Sequence, residues 1–128
     1  MHKDFDNWNE IKKKTHLNNK PISFKEREVW WCKLGVNIGD EEDGKGENKT
    51  RPVLIIKRLS SNLLVVLPLS TSHKQKHYYH QFKFKGQTQS VILSQIKAID
   101  KKRLTSRFGS ITEKDFEIIK EKAKNMIF

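Results

Sequence analysis

Two apolar runs in the middle of the chain constrain its fold most strongly. Residues 52–56 and 63–67 are almost entirely aliphatic, and a short polar link around residues 60–62 separates them. Apolar runs of this length, bounded by turn residues, are typical of strands that are buried on both faces. The sequence therefore predicts two central β-strands joined by a tight turn.

A first strand is predicted over residues 29–34, before a polar loop. Successive side chains of a strand point to opposite faces, so the side chains of Trp30 and Trp31 are expected on opposite faces of the sheet. One of them is expected in the core, and the other at an interface. Residues 35–50 are rich in glycine and contain five acidic side chains, which indicates a long loop.

A half-exposed hairpin is predicted after the central strands. Residues 78–85 alternate between apolar and polar side chains, with Phe82 and Phe84 on the same face. Gly86 starts a turn, and residues 90–96 return as the partner strand. We therefore expect five short strands in total.

Helices are predicted at both ends of the chain. Residues 3–17 carry a narrow apolar stripe, and Pro21 follows the predicted end of that helix. A second helix begins at the N-cap residue Thr112, where Ile111 can pack on Phe116 as a hydrophobic staple. The buried stripe of this helix is expected to consist of Phe116, Ile119, Ala123 and Ile127.

The length limits this chain to one main domain. Its 128 residues correspond to a single domain of ordinary size. Short strands followed by a closing helix predict a mainly β protein with some α structure. We expect a small, strongly bent sheet or barrel, with a C-terminal helix and an N-terminal helical extension.

The positive charge is concentrated in the middle of the chain. The net charge is +11, yet residues 1–50 carry ten basic and ten acidic side chains, and residues 110–128 carry four of each. Residues 51–109 carry twelve basic side chains and one acidic side chain, Asp100. Basic charge within the folded part indicates a surface for a polyanion, most often nucleic acid. The alternative is a solvated basic face that maintains solubility.

Several kinds of site are excluded or disfavoured. The single cysteine, Cys32, excludes an internal disulfide and a multi-cysteine zinc site, and its apolar strand favours a buried structural thiol. His73, His77 and His80 lack carboxylate or thiol neighbours, so we expect neither a metal nor another cofactor. No glycine-rich phosphate loop precedes a helix, which argues against nucleotide hydrolysis.

The sequence also lacks membrane and export signals. No apolar run approaches the roughly 18–20 residues of a membrane span. The first residues lack the apolar segment of a signal peptide. We therefore expect a cytoplasmic protein that has no membrane partner.

Arg51 stands at the start of the first central strand. Pro52 follows it and favours an extended backbone at Arg51. A rigidly held guanidinium is suited to phosphate binding or to stabilising a phosphorane. A surface arginine at the strand terminus is the alternative interpretation.

Three hydroxyl side chains follow the second central strand. Ser70, Thr71 and Ser72 can hold a phosphate or polarise a ribose hydroxyl, or they can simply form a turn. Basic and aromatic side chains come next, a mixture that suits single-stranded RNA. The predicted RNA-binding residues are Lys49, Ser72, Lys74, Lys76, His77 and Tyr79.

The chain resembles the MazF/PemK family of bacterial toxin ribonucleases. Six segments match in order: EVWW (28–31), LGVNIG (34–39), RPVL (51–54), LPLST (67–71), SVILSQI (90–96) and DKKRL (100–104). The resemblance covers residues 26–128 and leaves residues 1–25 as an extension. It implies an SH3-like small β-barrel of the MazF/PemK/CcdB type that acts as a homodimer. It also implies a cognate antitoxin protein that occupies the RNA groove.

The resemblance further implies a metal-independent, sequence-specific endoribonuclease. In this family the ribose 2′-hydroxyl of single-stranded mRNA attacks the adjacent phosphate, leaving 2′,3′-cyclic phosphate and 5′-hydroxyl ends. By position, Arg51 matches the family's catalytic arginine and Ser70 its catalytic hydroxyl residue, usually threonine, with Thr71 as the near alternative. Glu41 matches a loop acid that helps to order the site or acts in proton transfer, although the link from Glu41 to Arg51 is longer than usual.

Two other functions remain as alternatives. A toxin of the same fold can poison DNA gyrase by protein binding, and a relative without activity can still bind RNA. Fold alone does not distinguish these functions. The pair of Arg51 and Ser70 within a basic region favours the ribonuclease, because a gyrase binder does not need it.

Overall fold

The computed structural model describes residues 22–33, 50–71 and 77–128 of the chain. These residues form seven strands and one helix: β1 (Glu28–Lys33), β2 (Thr50–Arg58), β3 (Leu63–Ser70), β4 (Tyr79–Phe84), β5 (Gln87–Ile92), β6 (Lys97–Asp100), β7 (Leu104–Ser110) and α1 (Glu113–Ile127). Two short 3₁₀ helices, Leu93–Gln95 and Lys101–Arg103, lie on either side of β6. The predicted N-terminal helix and residues 35–49 of the predicted loop lie outside the described residues, and Thr50, predicted as the end of that loop, is the first residue of β2.

The strands form an antiparallel sheet with the predicted central pair in the middle. The order is β4-β5-β3-β2-β1-β7, and β6 pairs with β3 off this path. One edge of β3 pairs with β2, while its other edge pairs with β6 over residues 63–66 and with β5 at Leu69 and Ser70. The prediction of two central strands is therefore confirmed.

Two buried clusters explain why the central strands are continuously apolar. Neighbouring residues such as Val53 and Leu54 belong to different clusters, because they point to opposite faces of the sheet. One cluster packs under α1, and the other packs around Phe24 and Trp30. Both faces of β2 and β3 are thus covered.

The number of strands differs from the sequence prediction. We predicted five, whereas the described residues contain seven. The predicted strand over residues 90–96 begins at Gln87 and gives way after Ile92 to a 3₁₀ helix. Strand β7 was not predicted, because Leu104 is its one buried side chain. Buried and exposed side chains therefore do not alternate along this strand.

The mainly β class with a C-terminal helix is confirmed, but backbone pairing does not close the sheet into a barrel. Among the described residues no ladder joins the terminal strands β4 and β7. They meet through side chains instead. A Cβ added at Gly109 of β7 would lie 2.9 Å from side-chain atoms of both Phe84 and Lys85. Glycine therefore permits the close approach of the two terminal strands.

A tight turn fixes the register of β4 and β5. Lys85 and Gly86 connect the two strands, with φ angles of 51° and 77°. Two consecutive positive φ values are typical of a type I′ hairpin turn. This turn sets Phe84 opposite Gln87 and Phe82 opposite Gln89, which places the glutamines of β5 near the end of the sheet.

Helix α1 begins as the sequence predicts. The Oγ1 atom of Thr112 accepts a hydrogen bond from the backbone N–H of Asp115 at 3.1 Å. Ile111 and Phe116 are buried in the same cluster, which confirms the hydrophobic staple. Phe116, Ile119 and Ala123 are buried. The predicted burial of Ile127 is wrong, because this last helical residue is 50% exposed and Met126, on the other flank of the stripe, packs against the core.

A side-chain contact between His80 and Lys122 links β4 to α1. The Nζ atom of Lys122 lies 2.9 Å from Nδ1 of the half-buried His80. Burial is the main cause that lowers the pKa of His80 below its ordinary value of 6.5, and the positive charge of Lys122 lowers it further. The negative charge of Asp115 opposes this shift. Neutral His80 accepts the hydrogen bond from Lys122, whereas protonated His80 would repel it.

We predict that Lys122→Gln reduces the loss of stability on acidification. Because the pKa of His80 is lowered on folding, the unfolded chain binds the proton more readily, and stability falls as pH drops below about 6.5. Removing the Lys122 charge brings the two pKa values closer together. The thermal midpoint measured from about pH 7 to about pH 5 should fall less steeply than in the wild type. Lys124→Gln, a neighbouring exposed change, serves as the control, and equal slopes for all three proteins would contradict the prediction.

Candidate functional site

A cleft lies where β2 begins and β3 ends. Its volume is about 430 Å³. Its lining combines a guanidinium, hydroxyls, amides and aromatic rings: Trp31, Thr50, Arg51, Pro52, Leu69, Ser70, Thr71, Gln87, Gln89 and Phe108. The cleft thus contains three of the four predicted catalytic residues, Arg51, Ser70 and Thr71.

Strand pairing places Arg51 inside the sheet. Arg51 lies opposite Cys32, and Pro52 lies opposite Trp31 of β1. Only 4% of Arg51 is exposed, although it lines the cleft. The alternative of a solvated surface arginine is therefore wrong. A buried guanidinium beside an open cleft interacts strongly with an anion, because little water screens its charge.

Ser70 lies across from the start of β2. It is the last residue of β3, it is 8% exposed, and it pairs with Ser90 of β5. The β2–β3 register sets Val53 opposite Pro68, so the start of β2 and the end of β3 share one edge. Thr71 follows as an exposed residue. Ser70 is thus built into the sheet, whereas Thr71 lies at its rim.

The other predicted site residues divide into two groups. The first lies outside the described residues: Glu41, Lys49, Ser72, Lys74 and Lys76. The second comprises His77 and Tyr79, which lie at the start of β4 and do not line the cleft. Tyr79 pairs with Ile92, three residues or about 10 Å along β5 from Gln89.

Two aromatic rings form one side of the cleft. Trp31 and Phe108 stack with ring centroids 5.2 Å apart and planes inclined by 18°. Trp30, in contrast, is buried in the core, so the prediction of one core tryptophan is confirmed, whereas the predicted interface role of the other tryptophan stays a prediction. Sequence reasoning missed Phe108, because it lies on the unrecognised strand β7.

The two glutamines of β5 were also missed. Gln87 and Gln89 alternate with other residues on one strand and both line the cleft. Gln89 is 4% exposed, and its Oε1 atom has no hydrogen-bond partner among the described residues. Their spacing of two residues, just after the glycine turn, is the signal that could have revealed them.

A buried carboxylate holds β7 beside the cleft. Glu28 accepts hydrogen bonds from the backbone N–H of Lys25 at 2.8 Å and from Nε1 of Trp30 at 3.0 Å. Its Oε2 atom accepts from Nε of Arg107 at 2.8 Å. Because Arg107 precedes Phe108, this ion pair helps to fix the aromatic side of the cleft.

Cys32 is a structural thiol, as predicted. It is fully buried in the core, opposite Arg51. Burial raises its pKa to about 11, and the charges of Arg103 and Lys97 partly oppose the shift. A thiol with so high a pKa is a poor nucleophile at neutral pH.

Positive charge surrounds the cleft. The Nζ atom of Lys85 lies 5.1 Å from the ring centroid of Phe108. Lys33 pairs with the cleft residue Thr50, and Arg103 donates a hydrogen bond to the carbonyl oxygen of Lys33 at 3.3 Å. These cations suit a polyanionic ligand.

The described residues contain neither a cluster of metal ligands nor a membrane-spanning helix. Within residues 22–33, 50–71 and 77–128, no three histidine, cysteine, aspartate or glutamate side chains are grouped as metal ligands. No helix in the same ranges is both long and apolar enough to cross a membrane.

A family model matches most of the chain that forms this fold and cleft. Residues 25–127 match the family described as PemK-like, MazF-like toxin of type II toxin-antitoxin system. The chain belongs to this family. No match was found among curated proteins.

Solved structures of this toxin family share the fold. MazF from Deinococcus radiodurans gives a TM-score of 0.67 at 13% identity, covering 83% of this chain and 97% of that chain. An endoribonuclease from a mycobacterial species, in complex with its cognate antitoxin, gives a TM-score of 0.61 at 16% identity. The match covers 81% of this chain and 93% of that chain. The Mycobacterium tuberculosis toxin MazF-mt6 gives a TM-score of 0.55 at 18% identity. The match covers 76% of this chain and 91% of that chain.

Proposed function

We propose that this toxin is a metal-independent endoribonuclease that cleaves single-stranded mRNA at specific sequences. The observation that carries the proposal is the placement of Arg51 and Ser70 in one cleft beside stacked aromatic rings. A guanidinium and a hydroxyl serve phosphate chemistry, and the rings serve unstacked bases. Membership of the toxin family supports the same conclusion.

The proposed reaction is an attack of the ribose 2′-hydroxyl on the adjacent phosphate. The bond from phosphorus to the 5′-oxygen breaks as the new bond forms, leaving a 2′,3′-cyclic phosphate and a 5′-hydroxyl. Negative charge accumulates on the pentacovalent phosphate. The buried Arg51 is placed to stabilise that charge, since arginine keeps its proton at physiological pH and is a poor general acid.

The hydroxyl role belongs to Ser70, with Thr71 as the alternative. Ser70 is held in the sheet by its pairing with Ser90, and the register of β2 with β3 sets its position relative to Arg51. In the proposal it binds a phosphate oxygen or the attacking ribose. Glu41 is proposed to assist proton transfer, by analogy with the acid of the family motif.

Partners follow from the same proposal. Single-stranded RNA is the substrate, and its phosphates contact the basic surface that includes Lys49, Ser72, Lys74, Lys76, His77 and Tyr79. We propose that the toxin is a homodimer and that a cognate antitoxin protein blocks its cleft. An antitoxin is present in the complex of the mycobacterial endoribonuclease, which shares this fold.

Gyrase poisoning is the second candidate function, and inactive RNA binding is the third. A gyrase binder needs a protein-binding surface and has no use for a buried arginine at a cleft. An inactive relative would keep the basic and aromatic surface without catalysis. The cleft geometry favours the ribonuclease, and cleavage assays separate all three.

We predict that Arg51→Met lowers the cleavage rate by about 100- to 1,000-fold, the usual effect of removing a preorganised charge stabiliser. Methionine retains much of the buried volume, so cooperative thermal unfolding should persist. Initial rates on a defined single-stranded RNA provide the measurement.

Arg58→Met is the matched control, because Arg58 lies exposed at the opposite end of the same strand. Its rate should stay close to that of the wild type. Wild-type cleavage by folded Arg51→Met would contradict the assignment of the site.

We also predict a steep dependence of RNA affinity on salt. Each neutralised phosphate releases counterions, and contact with about four phosphates gives a slope of about −3 in a plot of log affinity against log salt. Titrations with an RNA that carries 2′-O-methyl groups, which prevent cleavage, provide the measurement. A flat response would contradict the basic surface as the RNA-binding face.

A further inference from the structure

We propose that Trp31, Phe108 and Gln89 form a subsite that selects adenine or cytosine in RNA by the amino group at position 6 of the purine or position 4 of the pyrimidine. The proposal rests on the proposed function, since it names what the same cleft recognises. It adds the residues that read a base to those that act on the phosphate. None of the three was among the site residues predicted from sequence.

The aromatic pair offers a platform for stacking. Trp31 and Phe108 are both half-buried and both line the cleft, so their rings are neither core nor fully solvated. Phe84 meets Phe108 edge-on at 5.2 Å, and Thr105 Oγ1 donates a hydrogen bond to the carbonyl oxygen of Trp31 at 3.1 Å. The rings are therefore held in place before any base arrives, and unstacked bases bind such surfaces.

Gln89 supplies a hydrogen-bond acceptor that the described part of the protein does not use. Its side chain is almost completely buried, yet its Oε1 atom has no hydrogen-bond partner among the described residues. A buried acceptor without a donor is unfavourable for folding. Gln89 lines the cleft, so a rotation of its side-chain amide brings Oε1 to a ligand that supplies the missing donor.

The chemistry of Oε1 predicts which bases fit. Adenine and cytosine carry an amino group at positions 6 and 4, and that group donates hydrogen bonds. Guanine and uracil carry a carbonyl oxygen at the corresponding positions, which repels another oxygen. A base stacked on the aromatic pair is thus favoured when its amino group points at Gln89.

The subsite adjoins the proposed catalytic residues. Gln89 directly precedes Ser90, and Ser90 pairs with Ser70 across the two strands. Pro52, next to Arg51, pairs with Trp31. The selected base therefore belongs to a nucleotide that flanks the phosphate held at Arg51.

The test compares Gln89→Leu with the wild type on four RNAs that differ in one base beside a mapped cleavage site. We expect the wild type to favour adenine or cytosine over guanine or uracil by about tenfold and Gln89→Leu to lose this preference. Leucine has a similar size and leaves no buried Oε1, so the thermal midpoint should not fall. Gln81→Leu, on the neighbouring strand and outside the cleft lining, should keep the preference.

Two further arms separate stacking and ribose contacts from base selection. Phe108→Leu should weaken binding of all four RNAs by about tenfold while the order of preference remains. An RNA with a 2′-deoxyribose at the selected nucleotide, compared by its affinity because deoxyribose can also prevent cleavage, tests whether Gln89 accepts from the ribose instead. If deoxyribose substitution abolishes the effect of Gln89→Leu, the base assignment is overturned.

Binding measurements distinguish failure of this inference from failure of the proposed function. With 2′-O-methyl RNAs, a base preference that depends on Gln89 supports the subsite even if the protein cleaves nothing. Cleavage with the same base preference in wild type and Gln89→Leu overturns the subsite and leaves the ribonuclease intact. Equal binding of all four bases by the wild type also overturns the subsite.

Discussion

The pairing of β2 with β1 on one edge and β3 on the other is the constraint on which the rest of the structure depends. It sets Arg51 against Cys32 and brings the start of β2 to the end of β3. The arginine, the strand-end hydroxyl of Ser70 and the ring of Trp31 therefore meet at one cleft. A shift of one residue in this register would turn Arg51 to the other face of the sheet.

A charged group inside the protein is the main chemical consequence of that register. Placing a guanidinium where it is 4% exposed costs free energy of solvation, which an apolar side chain would not. The same low exposure strengthens its interaction with a phosphate, because water screens the charge less. The protein thus holds positive charge in position before substrate binds, as catalysis by charge stabilisation requires.

The parts that sequence predicts are those governed by local patterns. Continuous apolar runs predicted the central strands, the neighbours Trp30 and Trp31 predicted that one of the two rings lies in the core, and Thr112 predicted the start of the helix. Strand β7 depends instead on long-range pairing with β1, and its sequence has one fully buried residue. Phe108 was therefore missed, since no local signal places it beside Arg51, whereas the position of Gln89 in the cleft was missed although its spacing from Gln87 after the glycine turn is a local signal.

Identification of the RNA ends produced in excess EDTA tests the central claim most directly. The purified protein would be incubated with a long single-stranded RNA, and the termini at each cut would be determined chemically. We expect discrete cuts that leave 2′,3′-cyclic phosphate and 5′-hydroxyl ends, because the ribose hydroxyl is the proposed nucleophile. Intact RNA, or cuts that leave 5′-phosphate ends, would contradict it.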